Sequence, residues 1–338
     1  MERMKKGWKR VLLFLLLFLV LSLLLLWWRE DLYSAIWMLR RVRIRWFVAA
    51  VALYFGSIFL WALRWRVSLS YLGFGVTLKE LYLILSGSIF INNITPFLRG
   101  GADPLGRVYL LGKLKGIPYS FAISTTMVDH LFDFPVVISF LLFGFWFGVS
   151  LPFSFPWFFL LWLFLLLFPP SLVFGMVKKE VGARMLGRWM NRLGRLVGKK
   201  KDLFSSIREM YRSSSSVLSN WRCVFSLFLF SLFIWSLDLL RLYLIFLSLA
   251  HHPSLPMLLL ATTLPTIAGL VPFLPGGLVL VEATMLSVFT FFKVPLPTAV
   301  AATVLERTIS LLLSTLVGAG ALSYLGLTGP SPFKRQKG

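Results

Sequence analysis

The stretch Asn93-Ile94-Thr95-Pro96-Phe97-Leu98-Arg99-Gly100-Gly101-Ala102-Asp103-Pro104-Leu105-Gly106-Arg107 breaks a long apolar run with prolines, glycines, a carboxylate and two arginines. Its core, Pro-Phe-Leu-x-Gly-Gly, returns at Pro272-Phe273-Leu274-Pro275-Gly276-Gly277, 176 positions later (272 − 96). The echo reaches well beyond the turn. Leu63-Arg64 is answered by Leu240-Arg241 at an offset of 177 (241 − 64), and Asp129-His130 falls at the same offset on Glu306-Arg307. A match over so many separated positions points to an internal repeat, and a repeat changes the reading of the whole chain. Each half reads as one membrane helix ending near an arginine, a broken hairpin around the Pro and Gly-Gly turn, and a further helix with an ionisable pair.

Composition sets the solvent. Hydrophobic residues make up 58% of the 338, mean hydropathy is +0.82, and several apolar runs approach the ~20 residues needed to span a bilayer. A soluble chain of this length could not cover that apolar surface. The single cysteine, Cys223, excludes an internal disulfide and a thiolate metal cluster, and three histidines make a metal site improbable. No cofactor or metal is expected. The formal charge of +22 would suggest nucleic acid in a soluble protein, but here it reads as basic loops that meet anionic headgroups and orient the chain. Nucleic acid is therefore not an expected partner; membrane lipids are.

The segments follow in order. Residues 1–45 carry a basic start, an apolar run from Val11 to Trp28 read as a retained helix, and a connector, Glu30 to Arg45, read as an interfacial helix with Leu32, Ile36, Leu39 and Val42 on one side. Residues 46–177 form the first repeat: a span from Trp46 to Leu63, a hairpin over 78–117, and spans from Phe121 to Val149 and from Phe155 to Val177. Residues 178–222 hold 12 Lys/Arg against Glu180, Asp202 and Glu209 and read as cytoplasmic amphipathic helices. Residues 223–325 form the second repeat, with a span from Val224, a hairpin over 255–292 and a last span from Thr298 to Leu325; residues 326–338 are a basic cytoplasmic tail. With the basic segments placed inside, crossings close only if each hairpin returns to the side it came from and the two repeats are inverted. Arg29, Arg40, Arg41, Arg43 and Arg45 on the connector oppose this assignment and are outnumbered by the other basic segments. The expected fold is thus an all-α polytopic membrane protein with about six transmembrane helices and two re-entrant hairpins in an inverted repeat.

The polar residues inside this frame are few enough to name. Asp103-Pro104 is a good helix start, an N-cap followed by proline, and would aim a positive helix end into the hairpin. Arg99, Asp103 and Arg107 are spaced by four and read either as an anion site for a lipid phosphate or as an ion-paired cap. Asp129, Glu306 and Arg307 lie roughly 15 Å along their helices and would cost several kcal/mol unless paired, so they mark a pathway, or a structural pair such as Asp129 with Arg307. Asp238 and Arg241 read as an intrahelical pair. Glu282, five residues after Gly277, is a candidate proton carrier or cation counter-ion. Pro96, Gly100, Gly101, Pro272, Gly276 and Gly277 supply tight turns; no Gly-Lys-Ser/Thr follows that would make them a nucleotide loop.

At these residues the chain resembles the flippase-like membrane domain of lysylphosphatidylglycerol synthases and its stand-alone relatives. The resemblance rests on Leu63-Arg64-Trp65-Arg66, on Asn93-x-x-Pro96 through Gly100-Gly101-x-Asp103-x-x-x-Arg107, and on Pro272-x-x-Pro275-Gly276-Gly277, Glu282 and Glu306-Arg307. It covers about Trp46 to Tyr324. Leu278-Val279-Leu280 departs from it where relatives often show another glycine. The resemblance implies a domain that moves lipids between leaflets, and with no soluble transferase domain after Tyr324 it does not imply synthase activity.

The expected function is accordingly a flippase in a prokaryotic plasma membrane with both termini cytoplasmic, moving an anionic phospholipid or polyisoprenyl phosphate headgroup through a polar cleft. Arg64, Arg99, Arg107 and Arg241 would hold the phosphate, with Asp103 orienting them, and Asp129, Glu282, Glu306 and Arg307 would gate the cleft or balance its charge. Two alternatives stay open: an intramembrane enzyme acting on a lipid headgroup, and a subunit serving a separate synthase or glycosyltransferase. The sequence is also compatible with a homo-oligomer.

Overall fold

A computed structural model describes residues 29–95, 102–149, 156–165, 201–269 and 277–326. Its elements are helices: α1 (Arg29–Arg40), α2 (Ile44–Tyr71), α3 (Leu78–Ile94), α4 (Ala102–Lys115), α5 (Tyr119–Val149), α6 (Pro156–Leu165), α7 (Lys201–Ser219), α8 (Trp221–Ser248), α9 (Leu255–Gly269), α10 (Leu280–Phe291), α11 (Leu296–Arg307) and α12 (Ser314–Tyr324). A π-helical stretch, Thr308–Leu313, joins α11 to α12 and makes Leu296–Tyr324 one continuous rod. Among the described residues α2, α5, α8 and this rod are long and apolar enough to cross a bilayer. The chain is an all-α polytopic membrane protein. The expected span from Val11 to Trp28 lies outside the described residues, and of that from Phe155 to Val177 only α6 lies within them.

Local chemistry fixes the ends of several elements. Thr77 caps α3 in a capping box with Glu80, and Asn220 caps α8 by accepting from the amides of Arg222 and Cys223. Glu80 also pairs with Lys115 at the last turn of α4. Burial pushes the Glu80 carboxyl up, but Lys115 and Thr77 together outweigh it and hold the group below its usual value. That stabilisation is present above the ordinary carboxylate range and lost as pH falls through the lowered value.

The Lys115–Glu80 contact also places the start of α3 and the end of α4 at one level, so the α3–α4 hairpin leaves from the end at which it began. The second hairpin does the same at another place. A Cβ on Gly148, at the end of α5, would meet Phe292 at 2.7 Å and Pro256 at 3.2 Å, so the start of α9 and the end of α10 flank one point. The two hairpins approach α5 from opposite ends. A Cβ on Gly112 of α4 would meet the side chain of Tyr119, the first residue of α5, whereas Gly148 lies one residue before the last.

At the centre α2 packs along α8. The Arg43 amide donates to the Ser248 carbonyl at 2.9 Å, the Arg241 guanidinium lies 5.2 Å from the Tyr54 ring, and Arg64 donates to Ser231 at 2.6 Å. Residue numbers rise on one helix as they fall on the other, so these two helices, which carry the repeated arginines, run antiparallel. Their packing partners correspond as well: α3 lies along α12, and α9 lies along α5. Under the 177-residue offset each of these pairs maps onto the other.

The apolar core has two large parts, and a smaller third joins α5, α7 and α8 around Phe132 and Leu227. Of the large parts, one joins α8, α9, α10 and α11 around Phe246 and Phe289; the other joins α2, α3 and α4 around Trp65 and Leu81. Of the expected connector stripe, Leu39 and Val42 pack against the first of these large parts together with Met38, whereas Ile36 is 51% exposed and Ala35 is buried in its place. Small Ala35 lets α1 approach α11 closely and turns Tyr33, Ile36 and Trp37 outward.

Candidate functional site

Two charge clusters sit on the α2–α8 pair, and each is built from the residues that repeat. In the first, Arg64 of α2 forks onto Asp133 of α5, at 2.5 Å and 3.2 Å, and also reaches Ser231 of α8. Its Nε lies 3.9 Å from Asp129, and Arg107 of α4 approaches the same Asp129 oxygen at 3.9 Å from the other side. Ser68 donates to the second Asp129 oxygen at 3.0 Å. Arg107 lies over the rings of Trp61 and Trp65, 5.3 and 5.9 Å from their centroids. Arg64, Arg107 and Asp129 are at most 1% exposed, so these charges are withdrawn from solvent and lipid alike. His130 faces Asp133 at 3.6 Å, and Trp235 of α8 donates to it at 3.4 Å.

The second cluster repeats the plan with different partners. Arg241 of α8 donates to Glu306 of α11 at 2.9 Å and pairs with Asp238 one turn earlier at 3.5 Å. Arg64 with Asp129 and Arg241 with Glu306 are therefore the same contact twice, each 177 residues apart. Ser310 stands where the first half has Asp133 (133 + 177) and donates to the other Glu306 oxygen at 3.2 Å. Arg307, the counterpart of His130, turns to α10 and forms an ion pair with Glu282, Nε to Oε1, at 2.6 Å. The first cluster lies seven residues from the end of α2 and the second seven from the end of α8, so each is roughly 10 Å from an opposite end of the antiparallel pair.

Beside the second cluster runs a groove of about 310 Å³. Glu282 and Arg307 lie at its floor with Thr303 and Thr308, and the apolar walls of Leu278, Val304, Leu311 and Leu312 supply nearly all of its surface. Leu278, Val304 and Leu312 are 41–56% exposed, so the groove opens on the outer, apolar surface of the helices. The π-helical stretch lines the same groove. A π turn widens a helix by one residue and recurs at functional positions; here hydroxyls reinforce it, Thr308 donating to Val304 and Ser314 to Ser310. The end of the first hairpin reaches this break, where Asn93 donates to Ser314 and Thr315 at 3.0 Å each.

Residues 12–318 match the family described as the Lysylphosphatidylglycerol synthase TM region. The chain belongs to that family. It is 28% identical over 265 residues to a UPF0104 membrane protein of Methanocaldococcus jannaschii, covering 75% of this chain and 77% of the relative. A UPF0104 membrane protein of Pyrococcus horikoshii is 25% identical over 319 residues, 90% of this chain and 94% of the relative. One of Methanothermobacter thermautotrophicus is 29% identical over 287 residues, 79% and 80% of the two chains. No solved structure matches.

In this synthase-region protein the expected site residues thus fall into two groups and a remainder. Arg64, Arg107 and Asp129 meet in one cluster; Arg241, Glu306, Arg307 and Glu282 meet in the other. The pairing of Asp129 with Arg307 is replaced by pairing within each half, because antiparallel α2 and α8 hold the equivalent arginines at different levels. Asp238 does pair with Arg241, as its spacing of three suggests, but shares it with Glu306. Arg99, Pro96, Gly100, Gly101, Pro272 and Gly276 lie outside the described residues; Asp103 stands in the first turn of α4, and Gly277 adopts a positive φ of 63°. The departure at Leu278-Val279-Leu280 falls on the same turn: Val279 takes φ 73°, a conformation that favours glycine.

The sequence reading passed over Asp133, Ser231 and Ser310 as ligands of the arginines. A signal existed for two of them: Asp133 follows Asp129 by one turn, and Ser310 is its counterpart at the repeat offset. Ser231 had none, being one hydroxyl on an apolar helix until α2 packs against it.

Proposed function

We propose that this protein moves a lipid with an anionic headgroup between leaflets, the headgroup passing a polar path between two inverted repeats with re-entrant hairpins while the acyl or isoprenyl tails stay in the bilayer. The observation that carries the reading is the groove at Glu282 and Arg307, a largely apolar groove with an ion pair at its floor, on the outer face of the helices. A guanidinium there suits a phosphate, and walls of leucine and valine suit the tail below it. The antiparallel α2 and α8, the hairpins that leave from the end at which they began, and the twice-built arginine–carboxylate contact support the inverted arrangement. Membrane lipids are the partner in this reading, and a prokaryotic plasma membrane with both termini cytoplasmic is the setting.

Mechanistically, each cluster stores its arginine against a carboxylate, and passage exchanges that internal pair for headgroup contacts. An unpaired charge at this depth costs several kcal/mol, so one bond must form as the other breaks. The test is translocation of a fluorescent phosphatidylglycerol by purified protein in phosphatidylcholine vesicles, read by quenching the outer leaflet. Wild type should exceed protein-free vesicles by at least tenfold, and Arg241→Gln should slow the movement by a similar factor while remaining folded in a thermal melt. A chemically altered lipid by mass spectrometry without leaflet transfer would overturn the transporter in favour of an enzyme.

A further inference from the structure

The two clusters differ in charge balance among the described residues. In the first, Asp129 and Asp133 face Arg64 and Arg107, with His130 alongside. In the second, Asp238, Glu282 and Glu306 face Arg241 and Arg307, three carboxylates for two guanidiniums. A phosphate monoanion added to that second cluster as it stands would raise the negative excess from one to two. Added together with a proton, it leaves the excess at one, and an exchange that conserves charge is the kind a low-dielectric site permits.

Geometry selects the carboxylate that takes the proton. Glu306 is held at both oxygens, by Arg241 and by Ser310, and Asp238 shares Arg241 on its own helix. Glu282 is held at one. Its Oε1 forms the ion pair with Arg307, whereas Oε2 is buried without a hydrogen-bond partner. Of the elements packed on α10, α9 has no titratable side chain, α11 contributes Arg307 and Glu306, and Asp238 and Arg241 of α8 stand behind them. The Glu282 side chain keeps 25% exposure and forms part of the groove floor, which gives a proton access to it. Its counterpart in the first half, at an offset of 176, is Gly106, which packs on Ser88; the feature belongs to the second half alone.

We propose that Glu282 carries one proton per transport cycle, its protonation releasing Arg307 to the phosphate, so that an anionic lipid moves with a proton in symport. The inference rests on the transport reading above. The proton comes from water and bonds to Oε2; the Arg307–Glu282 ion pair breaks; the guanidinium takes a phosphate oxygen. On release the proton returns to water at the other side and the ion pair re-forms. One proton with one monoanionic headgroup carries no net charge, so a pH gradient drives the cycle and a membrane potential does not.

The experiment uses the full chain in phosphatidylcholine vesicles with trace fluorescent phosphatidylglycerol. A gradient of one pH unit, acid outside, is expected to raise the inner-to-outer ratio of the probe toward tenfold, the factor one proton per lipid supplies. A potassium–valinomycin potential at equal pH should leave the ratio at one. Glu282→Gln should hold the ratio within twofold of one under the same gradient, whatever its own rate of probe movement, while Glu282→Asp recovers a gradient response. Should wild type equilibrate the probe and ignore the gradient, coupling is overturned and transport stands. Should Glu282→Gln follow the gradient as wild type does, Glu282 is not the carrier. Absence of any movement above protein-free vesicles in every arm overturns both readings, and because the gradient arm needs only wild type, a variant that fails to fold does not remove the test.

Discussion

Arg64 and Arg66 stand two positions apart in the same motif, and the fold treats them oppositely. Arg64 is buried among Asp133, Asp129 and Ser231, whereas Arg66 is exposed on the other side of α2. Removing one member of a buried pair leaves carboxylates uncompensated and costs about 3–5 kcal/mol; an exposed arginine is worth at most about 0.5 kcal/mol. Arg64→Ala is therefore expected to lower the unfolding free energy by several kcal/mol in a detergent-based thermal or denaturant melt, and Arg66→Ala to leave it within error. Equal losses would mean that Arg64 is not the buried anchor. At this scale the sequence singles out the charged residues that meet in the two clusters because charge is rare in apolar helices. It left partners open, with Asp129 and Arg307 as one possible pair, because pairing is a property of which helices touch.

At the scale of elements, glycine separates close approach from mere flexibility. A Cβ on Gly318 of α12 would collide with the carbonyl oxygen of Ser86 in α3, and with the Phe90 side chain at 2.7 Å, whereas one on Gly320 meets nothing within 4 Å. Backbone cannot yield as a side chain end can, so Gly318→Ala should destabilise by about 1–3 kcal/mol. Gly320→Ala should be neutral or stabilise by up to about 1 kcal/mol, since alanine is the better helix former. Thermal melts of the two variants side by side check this; a harmless Gly318→Ala would mean that α3 and α12 do not touch there. The hairpins were legible from Pro96, Gly100, Gly101 and their echoes, because a break in an apolar run is a local signal. The π-helical stretch at Thr308–Leu313 was not, since Thr-Ile-Ser-Leu-Leu-Leu reads as ordinary helix and the extra residue is accommodated by packing and by hydroxyl bonds within the rod.

For the whole molecule the question is orientation. Trp221–Ser248 is 28 residues, roughly 42 Å of helix, enough to cross a bilayer, and α2 runs back along it. In a Cys223→Ser background, Arg212→Cys before α8 and Ser70→Cys at the end of α2 should react from one side of the membrane, and Ser254→Cys after α8 from the other; all three positions are exposed. An impermeant maleimide applied to sealed vesicles of known sidedness measures it. Labelling of Ser70→Cys together with Ser254→Cys would remove the antiparallel arrangement and the inverted repeat with it.

The sequence by itself determined the solvent, the helical class and the repeat. Hydropathy, turn residues and a fixed offset are one-dimensional quantities that a chain carries whether or not it is folded. It also determined which charged residues need a partner, because an ionisable group in an apolar segment is costly wherever the segment lands. Only the tertiary structure decided that Arg64 meets Asp133 and Ser231, that Arg241 repeats the contact with Glu306, and that Glu282 faces Arg307 across an open groove. Those contacts depend on the antiparallel seating of α2 on α8 and on which helices of each half meet, across separations of 25 to 167 residues of chain that no local pattern encodes.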